Sequence, residues 1–423
     1  MSRQDISLKD RFDLSKSPVL MNGTQALVRL MLMQKARDRA AGLNTAGYVT
    51  GYRGSPLGGV DQQMAREGKL LAANDIRFQP GLNEDLAATA IWGSQQAELR
   101  GEGRFDGVFA LWYGKGPGVD RSGDVIRHGN MAGSSRHGGV VMAMGDDHTG
   151  ESSTVLHQSD WAMVDAYIPV VSPAGVQEIL DYGLYAWELS RFAGVWVGLK
   201  TMKDTVEATA VVDGDPFRMS FVTPDFPMPE GGLNIRLGDT PVTQEARMID
   251  HKRFAAEAFA RANRIDKRVW GKPGAKIGFV AAGKNWLDLV HAFDLLGIDA
   301  AEAERLGITT YKVGQTWPMD MKSFQEWSES LDVVVVVEEK RKLATSQTAK
   351  SDSGSEGAPF YKKWWFWTAI GLGLMMHVTG WHGVGNFLFF MDFLAILNRF
   401  IFRDIIHTFQ VKVLPWLMNH YEN

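Results

Sequence analysis

Three stretches of the chain are apolar at consecutive positions rather than at alternate ones: GVFALWY (107–113), GGVVMAMG (138–145) and GVWVGLK (194–200). A strand of this kind is buried on both faces, which is the condition of a parallel sheet covered by helices. AGYVTGY (46–52) reads as a further strand, and helical patterns run through TQALVRLMLMQKARDRAAG (24–42) and DLAATAIWGSQQAELR (85–100). Strands alternating with helices and glycine-rich turns place this part of the chain in the α/β class. The proline-rich VTPDFPMPEGG (222–232) breaks the pattern as a linker, and 242–265 reads as a bridging helix. The alternation then resumes, with strands in KIGFVAAG (276–283), ITTYKVG (308–314) and DVVVVVEEK (332–340), and helices in 286–298 and 323–331. That is a second, smaller α/β domain.

Ligands of an open parallel sheet bind at the carboxyl ends of its strands, where glycine lets the backbone approach. Four segments follow strands in this way: YRGSPLGG (52–59), PGLNEDLA (80–87), YGKGPGVDRSGD (113–124) and GDDHTGESSTVLHQSD (145–160). They carry Arg53, Ser55, Glu84, Lys115, Arg121, Asp146, Asp147 and Ser152 to Thr154. Each has a plain reading as a turn or cap residue; their joint place on one rim is what points to a site. Glu84 and Asp85 illustrate the choice. Asn83 caps a helix, and acids in its first turn complement the helix dipole, so capping accounts for both on that stretch alone.

Composition narrows the chemistry. The 45 Lys and Arg against 49 Asp and Glu leave a formal charge of −4, with no field that favours nucleic acid. With no cysteine, the chain holds no disulfide, thiolate zinc site, Cys nucleophile or Cys-ligated iron–sulfur cluster. The N-terminus, MSRQDISLKDRFDLSKS, lacks the apolar run of a secretory signal, which predicts a cytoplasmic protein. GFVAAGKN (278–285) matches a P-loop until Asn285 stands where Ser or Thr would hold magnesium, and reads as a strand and turn. GKGPG (114–118) lacks the full dinucleotide fingerprint and opens no obvious helix. His128, His137, His148 and His157 are too scattered for ligand spacing on one element, so no metal is assigned to them.

Together, 23–64, LNEDLAATAIWGSQ (82–95), YGKGPGVDRSGDVIRHGN (113–130) and DDHTGESSTVLHQSDW (146–161) resemble the N-terminal part of indolepyruvate ferredoxin oxidoreductase. That family belongs to the thiamine-diphosphate-dependent 2-oxoacid:ferredoxin oxidoreductases. The resemblance runs from about residue 18 to TYKVGQTWPMDM (310–321) and VVVVVEEKRKL (333–343). It implies a thiamine-diphosphate-binding-type parallel sheet, the pyrimidine domain, over 18–221. A linker and bridging helix over 222–274 and a transketolase-C-terminal-like α/β domain over 275–343 follow. It also implies that Glu84 hydrogen-bonds N1′ of the aminopyrimidine from a water-poor cleft, with a raised pKa. By the same resemblance Gly54, Ser55, Pro56 and Asn83 line the cofactor, and Arg53, Lys115 and Arg121 face the substrate carboxylate. Asp85 stays a helix-start residue.

The family's complete enzymes also carry a pyrophosphate domain with a GDG-type magnesium motif, and cysteine-bound clusters. VVDGDPF (211–217) has the wrong order and no following asparagine. Magnesium and iron–sulfur clusters are therefore expected only from missing domains or a partner chain in a dimeric assembly, with ferredoxin as acceptor and a 2-oxoacid and coenzyme A as small molecules. After a Ser/Gly-rich linker (344–363), no charged residue occurs from Trp364 to Met391. About 28 helical residues reach roughly 42 Å, longer than the roughly 30 Å apolar core of a bilayer. Lys362, Lys363, Trp364, Trp365 and Trp367 suit an interfacial anchor, and 400–418 an amphipathic helix on the inner membrane face. A buried hairpin turning at Gly380, Gly383 and Gly385 is the other reading of this 364–423 tail. Two functions compete: an enzyme component incomplete without its partner, and a non-catalytic membrane-tethered scaffold or truncated product of the same family.

Overall fold

The continuous apolar runs lie where helices cover both sides of them. The computed structural model describes residues 7–150, 155 and 157–348. Thirteen strands occur among the described residues: β1 (Val19–Asn22), β2 (Thr45–Gly51), β3 (Ile76–Phe78), β4 (Gly107–Lys115), β5 (Val140–Asp146), β6 (Val170–Val171), β7 (Trp196–Met202), β8 (Thr209–Val212), β9 (Lys267–Arg268), β10 (Ile277–Ala282), β11 (Ile308–Val313), β12 (Gln315–Trp317) and β13 (Val333–Val337). The larger sheet has the order β12-β6-β7-β5-β4-β2-β3, and the smaller β13-β10-β11-β9. All neighbours pair in parallel except β12 on β6 and β9 on β11. The fold is thus α/β with two mainly parallel sheets, and β1 and β8 form a separate antiparallel ribbon.

Side-chain alternation along the central strands explains why they are apolar throughout. Phe109, Leu111 and Val141 enter one core with Leu27, Met31 and Trp187 from the helices Gly23–Ala40 and Val176–Ala193. Ala110, Trp112 and Met142 enter the other, with Ile91 and Ile126 from the opposite helical layer. The smaller sheet repeats the plan with Trp286 and Phe293 on one side and Phe324 and Trp327 on the other.

Several expectations change. The helix read over 85–100 stops at Ser94, where the next side chain, fully buried Gln95, turns toward the N-terminal ends of β4 and β5. Its amide donates to the Val108 carbonyl at 2.8 Å and accepts from Ser135 and Gly139 N–H at 3.0 and 3.1 Å. Gly116 does open a helix, Gly116–Arg121, with Pro117 in its first turn, where a missing N–H costs nothing. The string 278–285 is not strand and turn: β10 passes straight into the helix Gly283–Leu295. The bridging helix runs from Pro241 to Asn263 through a π-helical turn at Met248–Lys252. That turn brings buried Lys252 to the Asn130 and Met131 carbonyls at the end of the helix Gly123–Ala132.

The seam between the sheets was not foreseen. Strand β9 falls within the 222–274 segment yet pairs with β11, and β12 leaves the smaller sheet to add an edge to the larger. Among the described residues no helix is long and apolar enough to cross a membrane. The proposed anchor, 364–423, lies outside the described residues.

Candidate functional site

The four glycine-rich segments leave β2, β3, β4 and β5 at their carboxyl ends, and parallel pairing of these strands puts the segments on one rim. They are also tied to each other. Gly81 N–H donates to the Gly51 carbonyl at 2.8 Å and Tyr52 N–H to that of Tyr113 at 3.1 Å. A Cβ at Gly54 would come within 2.9 Å of Lys115 Cδ, and one at Gly145 within 3.0 Å of Pro56 Cδ. A side chain at either position would press on its neighbour in the adjoining segment.

Asn83 caps the helix Glu84–Ser94 by accepting from Leu86 N–H at 2.9 Å, as its sequence position predicts. Its two first-turn acids then diverge. Asp85 turns outward and pairs with Arg121 at 2.8 Å; that hydrogen bond holds its carboxyl below the usual range. Glu84 turns inward and is 7% exposed. Its carbonyl accepts from Trp112 Nε1 at 3.1 Å, which fixes the backbone. Its carboxylate accepts no hydrogen bond from any described residue, and it lies against the backbone of Gly118, where a Cβ would fall 2.5 Å from Cγ and 2.6 Å from Oε1. The residue is buried, but its carboxylate oxygens are not among the fully buried unpaired atoms, so they open onto the rim, where a partner could supply donors.

Of the remaining predicted residues, Arg53 and Ser55 are exposed, Pro56 is buried behind them, and Lys115 is half-buried along Gly54. Tyr113 donates to Asp61, and burial pushes its hydroxyl well above the ordinary range. Asp147 sits at the exit of β5; Ser152 to Thr154 lie outside the described residues. Leu82, Leu86 and Tyr52 expose large apolar surfaces around Glu84.

The sequence reading missed a charged cluster on the same rim. His157 Nε2 lies 2.8 Å from Asp120 Oδ2, and its Nδ1 faces Asp146 at 3.5 Å and Ser159 Oγ at 3.4 Å. Ser159 donates to Asp146 through both N–H and Oγ. Lys200 pairs with Asp160 at 2.8 Å, and His148 Nδ1 meets the His157 carbonyl at 2.9 Å. The Asp146 hydrogen bond raises the His157 imidazole above its ordinary value, with Asp120 adding to it. Burial alone would raise the Asp146 carboxyl, but His157 and Lys200 hold it low; burial lowers His148. The only advance signal was the density of polar residues in 145–160, since Asp120 lies on the helix Gly116–Arg121 and Lys200 on β7, outside that segment. No group of three or more acids and histidines among the described residues suits a metal ion.

Comparison with known proteins agrees with the motifs. An indolepyruvate oxidoreductase domain family matches residues 267–351. The chain is 25% identical over 343 residues to the indolepyruvate oxidoreductase subunit IorA of Methanothermobacter marburgensis, covering 78% of this chain and 50% of that one. It is 24% identical over 341 residues to IorA of Pyrococcus abyssi, covering 78% and 46%. Among solved structures, a 2-oxoglutarate:ferredoxin oxidoreductase from Magnetococcus marinus, with 2-oxoglutarate, coenzyme A and succinyl-CoA bound, superposes with a TM-score of 0.56 at 14% identity, over 78% of this chain and 60% of that one. The chain therefore shares the fold of that structure. In sequence the chain is similar to the N-terminal part of indolepyruvate oxidoreductase subunits, and it spans about half the length of the curated relatives it matches.

Proposed function

We propose that the chain supplies the aminopyrimidine half of a thiamine diphosphate site in an indolepyruvate-type 2-oxoacid:ferredoxin oxidoreductase. A partner carrying the pyrophosphate domain, its magnesium and the iron–sulfur clusters completes the enzyme, which passes electrons to ferredoxin and uses coenzyme A and a 2-oxoacid. The observation that carries this reading is Glu84: a largely buried side chain on the ligand-binding rim, with a fixed backbone and a carboxylate that accepts from no described residue.

The residues present fit the cofactor. Gly118 lets the Glu84 side chain lie against its backbone, in space a Cβ would contest, and a carboxylate held there suits a ring nitrogen that shares a proton. When bound, thiamine diphosphate supplies a thiazolium that adds to the keto carbon and holds the electron pair released on decarboxylation. Glu84 would hold a proton at N1′, and Gly54, Ser55, Pro56 and Asn83 would hold the ring. Arg53 is free to meet a substrate carboxylate from solvent, and Lys115 reaches the same side past Gly54. Arg121 reaches it only while sharing its charge with Asp85. Exposed Leu82, Leu86 and Tyr52 suit a surface that a partner domain covers.

The test is cofactor binding by calorimetry with and without a partner chain bearing the GDG-type motif. The isolated chain should bind thiamine diphosphate and magnesium weakly, because it offers the diphosphate no ligands, and the complex should bind them tightly. Micromolar binding by the isolated chain, or none by the complex, contradicts the proposal.

A further inference from the structure

The helix Gly116–Arg121 is held between two side chains, one on each side. A Cβ at Gly116 would overlap the His157 ring, and a Cβ at Gly118 would overlap the Glu84 carboxylate. His157 also grips this helix near its far end through Asp120, while its other nitrogen faces Asp146 at the end of β5. We infer that His157 is a positioning residue that clamps the Gly116–Arg121 helix between the β5 loop and Glu84, and so sets where the Glu84 carboxylate stands. This rests on the proposed role of Glu84 and extends it to a residue 73 positions away in sequence.

The clamp works by charge as well as by shape. Only an imidazolium donates from both nitrogens, so only the charged ring bridges Asp120 and Asp146 at once. The charged and titratable groups around it are Asp120 on the clamped helix, Asp146 on β5, His148 on the following loop with Glu339 facing it at 3.7 Å, and the Lys200–Asp160 pair behind Asp146. The Asp120 side chain is 62% exposed and that of Asp146 fully buried, so the bridge joins a surface carboxylate to an interior one. Deprotonation leaves one donor, and one end of the clamp is released. The helix then loses its backing against Glu84.

The test uses the full chain without cofactor, so its failure is separable from failure of the thiamine reading. Hydrogen exchange of the amides of 116–122 is followed by mass spectrometry in the wild type, Gly116→Ala, His157→Ala and the double variant. Each single variant should exchange about tenfold faster or more. The double variant should be no worse than His157→Ala, because removing the ring removes the overlap the new methyl creates. Additive losses, or a Gly116→Ala chain as protected as wild type, overturn the clamp. A second readout is the Glu84 carboxyl resonance in glutamate-labelled chain, assigned by its absence in Glu84→Gln. It should follow the His157 titration in the wild type and lose that step in His157→Gln. If it keeps the same pH profile in His157→Gln, then His157 is a structural residue only and the inference falls.

Discussion

Two carboxylates of this chain are buried to nearly the same degree, Asp266 at the seam between the sheets and Glu84 at the rim of the larger one, 4% and 7% exposed. Asp266 accepts three backbone N–H groups, from Gly314 at 2.8 Å, Gln315 at 2.9 Å and Asp320 at 3.2 Å. It thereby fixes the point where β11 passes into β12 and the chain crosses from one sheet to the other. Its neighbours are similarly committed: Arg261 to Asp320, Tyr185 to Gln315, Lys312 to Glu178. Glu84 has no such donors among the described residues. The seam shows how this protein satisfies a buried carboxylate when its role is architectural, and the rim departs from that practice at one residue. A partner-seeking carboxylate on the ligand-binding edge of a parallel sheet is what a cofactor site requires.

The contrast is broken most severely by crowding Glu84. Gly118→Ala should lower turnover of the reconstituted enzyme on the order of 10²-fold, the effect of a small misplacement, while Gly58→Ala, where nothing lies within 4 Å, should leave it unchanged. Equal effects in a steady-state assay would remove the special status of the rim. At the seam the effect should fall on stability instead. Asp266→Ala strands three N–H groups and should cost roughly 2–4 kcal/mol in urea unfolding, from about 1 kcal/mol or more for each buried unsatisfied group, whereas Glu84→Gln should cost little.

Buried charges away from the rim sharpen the comparison through pH. Lys252 is buried among carbonyls with no acid in contact, and burial lowers its ammonium to about 7. The unfolded chain binds a proton there up to about pH 10, so this burden on the fold is greatest below pH 7 and fades as pH rises towards 10. Lys252→Met should therefore stabilise by roughly 1–4 kcal/mol at pH 6 and by much less at pH 10. Asp266 has the opposite sign. Burial raises it to about 7, so its contribution is full below pH 4 and is lost as pH rises through 7. Stability of the wild type should fall between pH 6 and pH 8 by about 1 kcal/mol from this group, a slope absent in Asp266→Ala.

The frame of this molecule was legible where burial leaves a strong mark on sequence. Strands β4, β5 and β7 announce themselves because both their faces are covered, and the loops after β2 to β5 because glycine marks each close approach. Strands of two or three residues, such as β6, β9 and β12, carry no period to read, so the crossing at the seam stayed hidden. Glu84 was legible as a choice between cap and site; its burial and the outward turn of Asp85 come from packing against Gly118 and pairing with Arg121, which no local pattern encodes. The His157 cluster was illegible for a related reason. Asp120, Asp146 and His157 lie on a helix, a strand and a loop, so they form a bridge between elements that no spacing along one element reveals.

The central claim is that of two adjacent acids, Glu84 meets the cofactor and Asp85 holds the helix start. The most direct measurement is proton exchange at C2 of the bound cofactor in the reconstituted complex, with melting temperature recorded for the same samples. Glu84→Gln should slow exchange by roughly 10²–10⁴, the range for lost acid–base assistance. Asp85→Asn should leave it near wild type and remove at most roughly 0.3–1 kcal/mol of stability through the helix dipole. If Glu84→Gln exchanges as fast as wild type, or if its only defect is a melting temperature lowered as in Asp85→Asn, then Glu84 is a helix-start residue like its neighbour and the account is wrong.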